Sequence, residues 1–120
     1  PVGEETKVRT IKDAEDIASL VEDAIALEKA GVFAIVVEGV KEEAAIAITK
    51  AVSVPTIGIG AGNVTDGQVL VWSDMFGFFE AFKPKFVKQY MDGAKQIREG
   101  LETYRNVVKS REFPSEDYTY

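Results

Sequence analysis

The sequence contains no cysteine and no histidine among its 120 residues. Without cysteine there is no disulfide and no thiolate metal site. Without histidine the chain lacks the commonest base near neutral pH and a common metal ligand. Any acid–base chemistry therefore falls to Asp, Glu, Lys or Tyr. Basic residues are also in short supply, with 14 Lys and Arg against 20 Asp and Glu and a formal charge of −6. That balance offers nothing to offset phosphate charge and argues against nucleic acid as a partner. No apolar run reaches the roughly 18 residues of a membrane span. The opening "PVGEETKVRT" lacks the basic-then-apolar order of a signal peptide. The chain starts on Pro1 rather than Met, which leaves processing and an upstream continuation as alternatives.

What is present is ordinary for one soluble domain over residues 1–120: 46% hydrophobic and 28% charged residues. Residues 1–12 read as a polar leader, and Asp13 as an N-cap with Asp16 favouring the positive helix end. Ile17, Leu20, Val21, Ala24 and Leu27 recur at helical spacing, which predicts a helix over 14–30 stopped by Gly31. The unbroken apolar run from Phe33 to Val37 predicts a strand covered on both faces. A second helix is expected over 41–52, headed by acids and rich in alanine. Pro55 then opens a strand over 56–59, and a third strand is expected over 68–72. This alternation is the rhythm of α/β units with a parallel sheet.

The remainder is aromatic and then helical. Phe76, Phe78, Phe79, Phe82 and Phe86 form a cluster expected in a core or a subunit interface. Pro84 suits a helix start. Phe86, Val87, Tyr90, Met91 and Ala94 make one stripe, and Ile97, Leu101, Tyr104 and Val108 another. C-terminal helices are thus expected over 84–110, with a break near Asp92-Gly93 because glycine weakens a helix by about 1 kcal/mol.

Glu38 is the most pointed candidate for chemistry. It follows the apolar run directly, at the carboxyl end of a parallel strand, where α/β folds place their active sites. A partly desolvated carboxylate there has a raised pKa and suits a general base. The alternative is a solvated acid at a turn assisted by Gly39. "GIGAG" (58–62) invites comparison with a dinucleotide fingerprint, but G-x-G-x-x-G needs glycine where Asn63 stands, and no helical stripe follows. Its glycines either permit tight packing or admit a ligand. Asp66-Gly67 makes a turn, with Asp66 expected to brace the loop. Ser73-Asp74 lies at the next strand end, where Asp74 is either a helix cap or a site residue.

The order of these motifs resembles the ketopantoate hydroxymethyltransferase family. The resemblance is carried by "LEKAGVFAIVVEGV", "VPTIGIGAGNVTDGQVLV", "SDMFGFF", "PKFVKQY" and "VKSREFP", over about residues 7 to 117. It implies a (β/α)8 barrel of which this chain is the C-terminal portion, about three βα units plus C-terminal helices. It further implies transfer of a hydroxymethyl group from 5,10-methylenetetrahydrofolate to 3-methyl-2-oxobutanoate, giving ketopantoate for pantothenate and coenzyme A synthesis in the cytoplasm. Magnesium would chelate the keto acid, with its ligands in the absent N-terminal part and none here. By the same resemblance Glu38, in its V-x-E-x-V context, matches the catalytic carboxylate. Gly58, Gly60, Gly62 and Asn63 would line the substrate floor. The family's histidine before the acid of the eighth-strand segment is replaced here by Ser73. Partners implied are the keto acid, the folate, and either an N-terminal half of the barrel or identical subunits. A non-catalytic assembly module that oligomerises over its open strand edges is the alternative, and a nucleotide-binding domain is a third reading.

Overall fold

The computed structural model describes residues 14–120. The polar leader and the Asp13 cap lie outside the described residues. Those described fall into two compact units, one ending at Leu70 and the other running Val71–Tyr120.

In the first unit α1 spans Ala14–Lys29, with Glu15 and Asp16 in its first turn and Lys29 in its last, as the helix dipole favours. Gly31, at φ 100°, ends it. Its N–H bonds the Glu28 carbonyl and the Val32 N–H reaches the Leu27 carbonyl, the paired bonds of a Schellman stop. Strand β1 follows at Ile35–Glu38, helix α2 at Glu42–Ala51 and strand β2 at Thr56–Ile59. A short strand β3, Gly67–Gln68, completes a parallel sheet in the order β1-β2-β3.

The core lies between the sheet and its two helices. Ile35 and Val37 pack there with Ala24 of α1, Ala45 and Ile48 of α2, and Ala61. Alternate strand residues point to opposite faces, so Val36 and Glu38 project from the helix-free face. The run 33–37 is therefore not covered on both faces. Ile35 and Val37 are buried, whereas Val36 is 60% exposed.

The link from β2 to β3 departs from the α/β rhythm. Parallel strands usually need a crossover of about a dozen residues, most often a helix. Here residues 60–66 cross without one. Gly60 (φ 66°) and Gly62 (φ 77°) supply the left-handed turns, and Ala61 between them drops into the core. The third strand is also shorter than expected. The Val69 N–H still bonds the Gly58 carbonyl, but the strand stops at Gln68, opposite the point where Gly60, at φ 66°, ends β2.

The second unit opens with a four-residue helix, α3, at Trp72–Met75, and ends with α4 at Gly93–Lys109 and a 3₁₀ turn at Glu116–Tyr118. Pro84 starts no helix. Backbone N–H groups of Tyr90, Gly93 and Ala94 bond the carbonyls of Met75, Phe76 and Gly77, which commits residues 90–94 to that neighbouring segment. The expected break near Gly93 is instead the start of α4. A Cβ at Gly93 would lie 2.3 Å from the Phe78 ring, so glycine is what lets the aromatic close on the helix start. Phe78 in turn meets Trp72 edge-on at 4.9 Å between ring centroids.

Candidate functional site

The carboxyl ends of β1 and β2 lie side by side, with Glu38 in register with Ile59. Gly39, at φ 62°, turns the chain immediately after Glu38, and its N–H bonds the Ile59 carbonyl. The turn thus holds the end of β1 against the start of the glycine-rich crossover. Glu38 and Gly60 are brought to one end of the sheet, as the sequence pattern implies. Glu38 itself is exposed rather than partly desolvated.

A cleft of about 320 Å³ opens along the outer side of β1. Its walls include Leu20, Ala24 and Leu27 from α1 with Val36, Glu38 and Val40. Asp23 is a second carboxylate on its lining.

The glycines do different work. The Thr56 hydroxyl meets that of Thr49 in α2 at 3.0 Å, which puts Thr56, and hence Gly58, on the helix side of the sheet. A Cβ at Gly58 would lie 2.6 Å from Thr65 Oγ1 and 3.0 Å from Gln68 Nε2. Its missing side chain is filled by the crossover, on the face opposite Glu38. Gly62 makes room for another group: a Cβ there would stand 3.0 Å from both Cγ and Oε2 of Glu42, the first residue of α2. Asn63 is exposed on the same loop. Glu42 was not singled out by sequence reasoning, although an acid in the helix turn right after Glu38 was the available signal.

Asp66 braces the loop, as the turn chemistry suggests, but with a longer reach. Its Oδ2 accepts the Thr56 backbone N–H at 2.8 Å and the Thr56 hydroxyl at 3.1 Å. Gln68 Nε2 donates to the Gly62 carbonyl at 2.8 Å and to Thr65 Oγ1 at 3.0 Å, so the loop is tied down at both ends. Ser73 and Asp74 lie within α3 of the second unit, where Val71 occupies the cap position and Asp74 is no N-cap.

Among the described residues no three carboxylates converge on one point.

The sequence of residues 5–116 matches the family model described as ketopantoate hydroxymethyltransferase. The chain belongs to this family. It is 61% identical over 109 residues to the 3-methyl-2-oxobutanoate hydroxymethyltransferase of Aliarcobacter butzleri, a match covering 91% of this chain and 40% of that protein. Identity to the Nitratiruptor protein of the same name is 63% over 101 residues, covering 84% of this chain and 39% of the relative. The Sulfurimonas denitrificans protein of that name is 53% identical over 114 residues, covering 95% and 43% respectively. The chain therefore spans about two fifths of the length of the curated relatives it matches. No helix among the described residues is long and apolar enough to cross a membrane.

Proposed function

We propose that this chain is the C-terminal part of a ketopantoate-forming hydroxymethyltransferase and that Glu38 is its acid–base carboxylate. The observation that carries the reading is the position of Glu38, at the carboxyl end of a parallel strand, on the helix-free face, lining a cleft. In a (β/α)8 barrel that face points inward and that end holds the active site. The three parallel strands are then an arc of the barrel wall, and the other strands come from the part of the family's chain that this one does not span.

The reaction is transfer of a hydroxymethyl group from 5,10-methylenetetrahydrofolate to 3-methyl-2-oxobutanoate, in the cytoplasm. Forming the new carbon–carbon bond requires loss of a proton from C3 of the keto acid. A carboxylate at the strand end is suited to holding a proton in transit. Gly60 and Asn63 form the floor beside it. Gly58 and Gly62 are left out of that floor, because their Cβ positions are occupied by Thr65 and Gln68 and by Glu42 respectively. Magnesium, when bound, supplies Lewis-acid activation of the keto acid, and its ligands come from outside the described residues.

The test is complementation. The chain is coexpressed with the portion of the Aliarcobacter butzleri relative that it does not match, and ketopantoate formation is assayed. Activity is expected only with both parts and is expected to fall by at least about a hundredfold on Glu38→Gln, the scale of general acid–base catalysis. Undiminished turnover in that variant would remove Glu38 from the mechanism.

A second reading is an assembly module built on identical subunits. It is favoured by α4, whose stripe Ile97, Leu101, Tyr104 and Val108 is exposed throughout. Light scattering on the purified chain separates the two, because a dispersed monomer counts against self-assembly. The nucleotide-binding reading has lost its support, since the glycine-rich segment runs into β3 rather than into a helix that could receive a phosphate.

A further inference from the structure

We infer that Gln68 is a positioning residue: its side-chain amide fixes the glycine-rich crossover of residues 60–66 and so holds the floor beside Glu38 in shape. The kinetic consequence rests on the proposed function, whereas the hold on the loop rests on geometry alone.

The crossover has little of its own to keep it in place. Gly60 and Gly62 both take left-handed backbone conformations, which glycine enters and leaves at low cost. Among the described residues, the backbone of residues 60–64 takes part in one hydrogen bond, from Gln68 Nε2 to the Gly62 carbonyl at 2.8 Å. Ala61 is buried in the core and pins the base of the loop, but Gly62 and Asn63 beyond it are exposed. The Gln68 amide is therefore what keeps the outer part of the loop from swinging.

The same network dictates which side chain can do this. The Thr65 hydroxyl donates to the Gly67 carbonyl at 2.8 Å, so its oxygen is left to accept, and Gln68 Nε2 donates to it at 3.0 Å. A carbonyl and a committed hydroxyl both demand donors, and the two protons of one amide nitrogen meet both demands. An ionised glutamate would offer neither. Gly58 provides the berth: it stands in register with Gln68, and a Cβ there would lie 3.0 Å from Nε2.

Gln68 works from behind the site. Residues in register on adjacent strands share a face, which puts Gln68 with Gly58 on the helix side of the sheet, opposite Glu38. It does not face what sits against Glu38, and it acts through Gly62. Gly62 lies in the chain between Gly60 and Asn63, the two floor residues, so their placement beside Glu38 follows from this bond. A loosened floor weakens binding of ground state and transition state alike, which raises KM and spares kcat. Loss of the Glu38 carboxylate does the reverse.

The experiment compares the wild type with Gln68→Met, which keeps the length of the side chain and removes both donors, and with Gln68→Lys, which keeps a donor. Backbone amide relaxation is measured on the chain alone. The amides of residues 60–64 are expected at order parameters near about 0.85 in the wild type and below about 0.6 in Gln68→Met, with Gln68→Lys restored toward the wild type. Kinetics are measured on the chain coexpressed with the unmatched portion of the Aliarcobacter butzleri relative. There Gln68→Met is expected to raise KM for the keto acid about tenfold with kcat within about twofold, and Gln68→Lys to recover most of the loss. Loop amides that stay equally ordered in Gln68→Met overturn the inference. So does a fall in kcat at unchanged KM, or a Gln68→Lys variant as defective as Gln68→Met. If the coexpressed wild type is inactive, the proposed function fails and the loop amides alone decide the inference. Glu38→Gln is expected to lower kcat and leave those amides ordered, so the two proposals fail separately.

Discussion

Asp66 and Thr56 close the β2 end of the crossover: one carboxylate oxygen, Oδ2, accepts both the backbone N–H and the hydroxyl of a fully buried threonine. The Thr56 N–H faces β3 before that strand begins, so the side chain of Asp66 takes the part of a missing ladder carbonyl. Asp66→Ala leaves that N–H without an acceptor. A loss of about 1–3 kcal/mol is expected, read from the urea midpoint, with Asp66→Asn milder because its amide oxygen still accepts. Equal and negligible losses in both variants would show that the crossover does not depend on this pair.

Gly58 distinguishes packing from substrate contact. Gly58→Ala drives a methyl group to within 2.6 Å of Thr65 Oγ1. Overpacking of this kind costs about 1–3 kcal/mol, and the change should appear as lower thermal stability of the chain by itself. A variant of unchanged stability that damages only the complemented activity would return Gly58 to the substrate floor.

Two glycines of α4 are expected to respond with opposite signs. Gly93→Ala meets the Phe78 ring and the Phe76 carbonyl, whereas a Cβ at Gly100 has nothing within 4 Å. Gly100→Ala therefore gains helix propensity of about 1 kcal/mol, and Gly93→Ala destabilises. Calorimetry on the two variants decides the matter, and a shift of the same sign in both contradicts the packing seen at Phe78.

Glu28 carries an acid-sensitive staple. Its Oε2 accepts the Ser53 N–H at 2.6 Å, the Ser53 hydroxyl at 2.8 Å and the Val54 N–H at 3.0 Å, tying α1 to the turn before β2. The Ser53 backbone bond foremost, then its hydroxyl and the Val54 N–H, hold the carboxyl below its usual range. A lowered folded-state value means the staple is fully present above the ordinary carboxylate range. It is lost as pH falls through the lowered value. Glu28→Gln should flatten that part of the acid unfolding limb and leave the neutral-to-alkaline profile parallel to wild type. An unaltered acid limb would count against the staple.

Much of this architecture is legible locally. Helical spacing from Ile17 to Leu27, the Gly31 stop, and Pro55 before an apolar quartet locate α1 and β2 with little error, because they depend on residues within a turn or two of each other. The carboxylate at the end of the first strand is visible for the same reason. Other features escaped, two of them secondary-structure elements. The 84–92 stripe suggests helix, yet its end is committed to Met75–Gly77 by backbone bonds. The third strand looks longer than two residues because the sequence around Gln68 does not reveal that its partner turns away at Gly60.

The sequence by itself determined the order and type of α1, β1, α2 and β2 and the placement of Glu38 at a strand end, which follow from local periodicity and turn chemistry, while its motifs carried the resemblance to the family. Only the tertiary structure decided what each glycine does. Gly58 admits Thr65 and Gln68, Gly62 admits Glu42, and Gly93 admits Phe78. A missing side chain carries no record of its neighbour in the sequence, and the space it leaves is defined by whichever distant residue the fold brings there.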